Sequence, residues 1–138
     1  MKKTEGWDIR LSEFLAENKD RKFERGVHDC ALFAADCLKV MTGEDHGAPY
    51  RNKYKTLAGA NKMIEHLGNT DLLALACSVV GEPMENMNFA SRGDIVAVKY
   101  KRDIALCVID LSGRKAVTAG QDGLEYFDRP LWLKAWRV

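Results

Sequence analysis

The residues of this chain best suited to nucleophilic chemistry are its four cysteines, Cys30, Cys37, Cys77 and Cys107. Only Cys30 has a neighbourhood that would change its reactivity. It follows His28-Asp29 and opens the stretch Ala31-Leu32-Phe33-Ala34-Ala35-Asp36-Cys37, which reads as a helix with a smooth apolar face. A thiol at a helix start meets unsatisfied backbone N–H groups and the positive end of the helix dipole. Both favour the thiolate, and the same N–H groups can hold an oxyanion. Asp29 is a plausible N-cap. Its carboxylate would raise the thiol's pKa if turned toward the sulfur, and would not if spent on the backbone. Cys30 is therefore the candidate nucleophile, with an expected pKa below the ~8.5 of an ordinary thiol.

A nucleophilic cysteine needs a base, and the three histidines are His28, His46 and His66. His28 precedes the Cys30 helix instead of facing it, an awkward position for a base. Local hydrogen bonding is its bland reading. His46 lies in an irregular segment that could approach a cleft or simply face solvent. His66, beside Glu65 in a helix, reads as solvent-facing. His28 and His46 are thus weak candidate bases, and Gln121, with Thr118, is a candidate orienter of an imidazole. A zinc site from His28, Cys30, Cys37 and His46 is disfavoured. Cys30 and Cys37 stand two helical turns apart, about 10 Å, too far for one ion. No zinc-ribbon or CxxC spacing, GxGxxG, Walker A or HExxH pattern occurs. No metal and no cofactor is expected.

The elements that must position these residues follow from periodicity. Helices are expected over Ile9 to Asn18, from Asp29 or Cys30 to Met41, over Leu57 to Leu67, and over Asp71 to Val80. Thr42-Gly43 closes the second with a left-handed cap. Glu44 to Tyr54 is irregular, and Tyr50, Arg51 and Tyr54 could line a groove there. After a loop over Gly81 to Ser91 the period changes to two. Strands are expected over Asp94 to Tyr100, Ile104 to Asp110, Lys115 to Thr118, Leu124 to Phe127 and Leu133 to Val138, joined by hairpin turns such as Gln121-Asp122-Gly123. Helices first and a strand meander second make a segregated α+β fold, not alternating βαβ units. Trp132 and Trp136 with Tyr126 and Phe127 read as core, with a stacking patch as the alternative.

At 138 residues the chain is one domain, 1–138, able to bury a core without covalent staples. Twenty-one Lys and Arg against 20 Asp and Glu leave a net charge of +1, which gives no long-range pull toward nucleic acid or anionic lipid. Lys2-Lys3 is followed by Thr4-Glu5-Gly6, not by the apolar core of a signal peptide. The longest apolar run, near Leu72 to Val80, is about half the length of a membrane span. The expectation is a protein that is cytoplasmic as made, with reduced thiols and no disulfide. Cys37 and Cys107 are expected to be buried in the core.

Several stretches carry a resemblance. Asp29-Cys30-Ala31-Leu32-Phe33 is similar to the Asp-Cys-Ser-Gly-Leu/Phe signature of the NlpC/P60 superfamily, and Arg92-Gly93-Asp94-Ile95-Val96 to its Gly-Asp-Leu-Val strand opening. Closer still is a family of small phage and prophage proteins of unassigned function, related to NlpC/P60 and found among tail genes. Its pattern is matched by Arg25-Gly26-Val27-His28-Asp29-Cys30, Ala34-Ala35-Asp36, Thr42-Gly43-Glu44-Asp45, Tyr50-Arg51-Asn52-Lys53-Tyr54, Arg92-Gly93-Asp94 and Ala135-Trp136-Arg137-Val138. Arg25 departs from that pattern, which has tryptophan, and should alter packing beside the site.

The resemblance implies a papain-like fold, with a nucleophile-bearing helix packed on a C-terminal antiparallel sheet of about five strands. It also implies a base at the opening of the second strand. That position falls at Ile104 or Ala105, and neither is a histidine. Two functions follow as expectations. One is a structural or tail-assembly protein, built on a papain-like scaffold with an incomplete Cys–His constellation, with other phage tail proteins as partners and a place in the virion. The other is a cysteine peptidase or amidase that cleaves peptidoglycan stem peptides through Cys30. The first is preferred because it accounts for the incomplete constellation.

Overall fold

The computed structural model describes residues 1–138. Four helices come first: α1 (Trp7–Glu17), α2 (Cys30–Thr42), α3 (Leu57–His66) and α4 (Leu72–Val80). Five strands follow: β1 (Ile95–Tyr100), β2 (Asp103–Ile109), β3 (Lys115–Gly120), β4 (Gly123–Asp128) and β5 (Trp132–Trp136). The expected α+β class, with an antiparallel sheet of five strands, is what the chain forms. Its boundaries follow local chemistry. Asp29, Thr56 and Asp71 cap α2, α3 and α4 by accepting from the backbone N–H three residues on. Gly43 ends α2 in the left-handed conformation at φ 84°. Helix α1 starts at Trp7, two residues before the periodicity suggested, because Gly6 turns the chain into it at φ 79°.

The sheet order is β4-β3-β2-β1-β5, every neighbouring pair antiparallel. Strands β1 and β2 are covered on both faces and so read as nearly continuous apolar runs, Ile95-Val96-Ala97-Val98 and Ala105-Leu106-Cys107-Val108-Ile109. On one face Ile95, Ala97, Leu106, Val108 and Trp136 pack against Leu11 of α1 and Phe33, Cys37, Leu38 and Met41 of α2. On the other, Val96, Val98, Ala105, Cys107 and Trp132 pack with Ala90, Met84 and Met87 of the 81–91 loop. Both tryptophans are core, as is Cys37, whereas Tyr126 is exposed.

Two features matter for the site. The Gly93-Asp94 element ties the termini together. Asp94 is buried and accepts from Ser91 N–H and from Val138 N–H at 3.1 Å, so Val138 leaves β5 instead of extending it. The second feature is the join between β2 and β3. Their register holds only at Val108↔Val117 and Ile109↔Ala116, while β1 and β2 pair along their whole length. Beyond those pairs, from Cys107 and Thr118 onward, the two strands part. Helix α2 packs across both of them.

Candidate functional site

Cys30 is the first residue of α2, as the sequence suggested, and it is half-buried beside the sheet. The turn that delivers it is anchored by Asp29, whose carboxylate is 1% exposed and fully spent. Oδ1 accepts from Leu32 N–H at 2.9 Å. Oδ2 accepts from Gly26 N–H at 2.9 Å and from the Tyr54 hydroxyl at 2.6 Å. Gly26 is obligatory here. Its φ is +86°, and a Cβ would stand 2.0 Å from the Tyr54 carbonyl oxygen. Burial and the Asp29 carboxylate together push the Tyr54 phenol well above its ordinary range, so it is a firm hydrogen-bond donor.

A second anchor holds the 43–54 segment against α2. The Arg51 guanidinium bridges Asp36 of α2 at 2.6 Å and Asp45 at 2.8 Å. The hydrogen bond from Arg51 holds Asp45 below the usual carboxylate range. These contacts join Asp29 to Tyr54 and Asp36 to Arg51 and Asp45, residues whose sequence separation concealed any link.

A cavity of about 520 Å³ opens beside Cys30. Its walls include Arg25, Asp29, His46, Tyr50 and Tyr54 from the connectors, Ile104, Ala105 and Leu106 from β2, and Thr118 from β3. Apolar side chains of α3 and α4, among them Ile64, Leu73 and Val80, line much of the rest. Tyr50 and Tyr54 thus line the expected groove, while Arg51 is turned away into its ion pairs.

The electrostatics reverse the expectation for the thiol. Burial pushes the Cys30 pKa up, and the charge of Asp29 adds to this. The backbone N–H groups of Leu106 and Ala31 and the Arg25 charge pull the other way without overcoming it. Asp29 does turn its oxygens to the backbone, but desolvation outweighs the helix terminus. Cys107, fully buried on β2, feels the Cys30 charge, so the two thiols are neighbours, and it too is shifted up by burial.

The candidate bases and orienter separate. His28 is 0% exposed, and neither ring nitrogen has a hydrogen-bond partner. Its ring packs edge-on against Phe33, at 5.9 Å between centroids, and it is not among the residues lining the cavity. Local hydrogen bonding, its bland reading, holds only for the backbone, which exchanges bonds with Glu24. Burial depresses its pKa, which keeps the ring neutral. His46 does line the cavity. Its Nε2 is shielded from solvent, lacks a hydrogen bond and lies 3.8 Å from Glu44. Gln121, the proposed orienter, is exposed in the β3–β4 turn away from the cavity. Thr118 takes the inward place, 1% exposed, with its hydroxyl unpartnered. The turn geometry decides between them: Thr118 is still within β3, whereas Gln121 lies past its end. His66 is exposed on α3, as expected.

The arrangement is a shielded thiol at the start of a core helix, facing an apolar cavity with a few unpaired polar groups. The chain belongs to a family defined by a domain of unknown function (DUF6950), whose profile matches residues 2–138. No curated protein matches it. No helix is long and apolar enough to cross a membrane.

Proposed function

We propose that this protein is a papain-like scaffold of the NlpC/P60 type, retained for phage or prophage tail assembly, whose cavity binds and does not cut. The observation that carries the reading is the state of Cys30. Burial and the Asp29 charge push its pKa up, no histidine hydrogen-bonds it, and Ile104 and Ala105 occupy the position where the resemblance calls for a base. A neutral thiol without a hydrogen-bonded base is a poor nucleophile. The phage context rests on the resemblance of residues 25–54, 92–94 and 135–138.

Two measurements test this. Site-resolved iodoacetamide labelling should give Cys30 an apparent pKa above ~8.5 and a rate at pH 7 no faster than that of Cys77. In a prophage carrying the gene, deletion should leave tails incomplete by electron microscopy, while the Cys30→Ser allele assembles normally. Complete tails without the gene would sink the assembly reading.

The runner-up is a cysteine hydrolase of stem peptides, and one observation favours it. The His46 Nε2 is shielded and without a hydrogen bond, 3.8 Å from the Glu44 carboxylate, on the wall of the same cavity as Cys30. Cleavage of a stem peptide that is lost in both Cys30→Ser and His46→Gln would establish this alternative.

A further inference from the structure

Two surface features on opposite layers of the fold carry matching chemistry. The first is Phe89, the most exposed large apolar side chain of the protein at 68%. Its backbone sits in a fixed turn. The Phe89 N–H donates to the Asn86 carbonyl at 3.2 Å, and Met87 and Ala90 on either side pack into the sheet face that α2 does not cover. Little ordering is left for a partner to impose on that turn. Two guanidiniums flank it. Arg137 donates to the Phe89 carbonyl at 3.1 Å and Arg129 to the Ala90 carbonyl at 2.9 Å. Neither pairs with a carboxylate. The second feature is the cavity. It is walled by α3 and by α4, and α4 packs on the α1–α2 face of the sheet. Most of its lining is apolar, and about 520 Å³ is ample for an aromatic side chain. Glu65, Asp71 and Asp103 stand exposed in that lining, also without an ion pair. Arg25 is the one lysine or arginine there, and Asp29 adds a buried carboxylate. An apolar interior under an acidic rim suits an apolar side chain with cationic neighbours.

We infer that the occupant of the cavity is a second copy of this chain: Phe89 of one protomer enters the cavity of the next, with Arg129 and Arg137 against the rim carboxylates. The inference rests on the reading of the cavity as a binding site and names its partner. Burial of Phe89 and of the apolar lining supplies the attraction, and the complementary charges fix the orientation. The aromatic knob and the cavity lie on opposite layers of the sheet, so one neighbour cannot engage both. The contact is therefore heterologous, and it propagates into a ring or a filament instead of closing as a two-fold dimer. One aromatic anchor with a charged rim makes a small interface, with a Kd on the order of 100 μM.

Sedimentation velocity of the full chain, from about 10 μM to about 1 mM, tests this; reversible growth past the dimer is expected. Raising salt from about 50 to about 500 mM should weaken the association several-fold. Phe89→Ser, which removes the knob from an exposed position, should weaken it at least about tenfold. Glu65→Lys combined with Asp103→Lys, both exposed, should do the same from the cavity side while the circular dichroism spectrum is retained. The two variants are then mixed. One keeps the cavity and the other keeps the knob, so the mixture should form one-to-one dimers and stop there. A chain that stays monomeric at about 1 mM overturns the inference. So does association indifferent to Phe89→Ser, a mixture without the dimer, or one that grows past it. Incomplete tails on deletion of the gene, alongside a monomeric chain, would remove this inference and leave the assembly reading standing, so the two failures are read in separate assays.

Discussion

Asp29 at the start of α2 and Asp71 at the start of α4 do the same local job, accepting from the N–H three residues on. The helices they begin are held differently. Eight of the thirteen residues of α2 are buried, whereas in α4 only Ala76 of nine is. Asp29 is also a tertiary hub, joined to Gly26 and Tyr54, while Asp71 is exposed and does nothing else. Helix α2 is therefore part of the cooperative core and carries the thiol at a fixed place. Helix α4 is an apolar cover resting on a cavity, the kind of element that opens locally at low cost.

The largest test of this contrast is truncation. Phe33→Ala, fully buried in α2, should cost about 3–5 kcal/mol in urea unfolding. Leu73→Ala, half-buried on α4 over the cavity, should cost less than about 2 kcal/mol, because the cavity already exists there. Equal losses would mean that α4 is core. The caps give a smaller difference. Asp29→Ala should cost about 3 kcal/mol, from the lost cap and two further stranded donors. Asp71→Ala should cost about 1 kcal/mol. A double-mutant cycle of Asp29→Ala with Tyr54→Phe should show coupling, and additivity there would remove Tyr54 from the anchor.

Hydrogen exchange sharpens the comparison along the chain. Amides of α4 should exchange through openings on the order of 2 kcal/mol easier than those of α2. Matching protection in the two helices would contradict a separable cover. The smallest effect is the pH dependence. Burial lowers the His28 pKa from its ordinary 6.5, so the unfolded chain takes up a proton more readily than the folded one. The stability linked to the neutral ring is complete above about pH 6.5 and is lost as pH falls through the lowered folded value. Urea melts at pH 7.5 and 5.0 should show this loss, and His28→Leu should flatten it. An unchanged slope in the variant would assign it to another group. Asp45 is separable, since its lowered pKa places its loss below the ordinary 3.8.

Much of the fold was legible because it is locally encoded. The apolar faces of α1 and α2, the caps at Asp29 and Gly43 and the period change near Asp94 each depend on residues within a turn or two of one another. The start of α1 was missed by two residues, because the left-handed Gly6 is a signal weaker than the apolar pattern. Of the site, the place of Cys30 at a helix start and its Asp29 cap were legible as local properties, and Tyr50, Tyr54, His46 and Thr118 were named as residues that could line or serve it, but how they meet was not.

What sequence alone determined, then, is the order of the elements, their antiparallel arrangement and the thiol at the head of α2. The tertiary structure alone decided what that thiol is. A pKa depends on how much water and which charges surround the sulfur, and these come from β2, the 43–54 segment and α2 together. The choice of Thr118 over Gln121, and of His46 over His28, was likewise spatial. It follows from where β3 parts from β2 and from how Arg51 clamps its loop between Asp36 and Asp45. Neither the parting of two strands nor a clamp across the chain has a periodicity that a sequence can display.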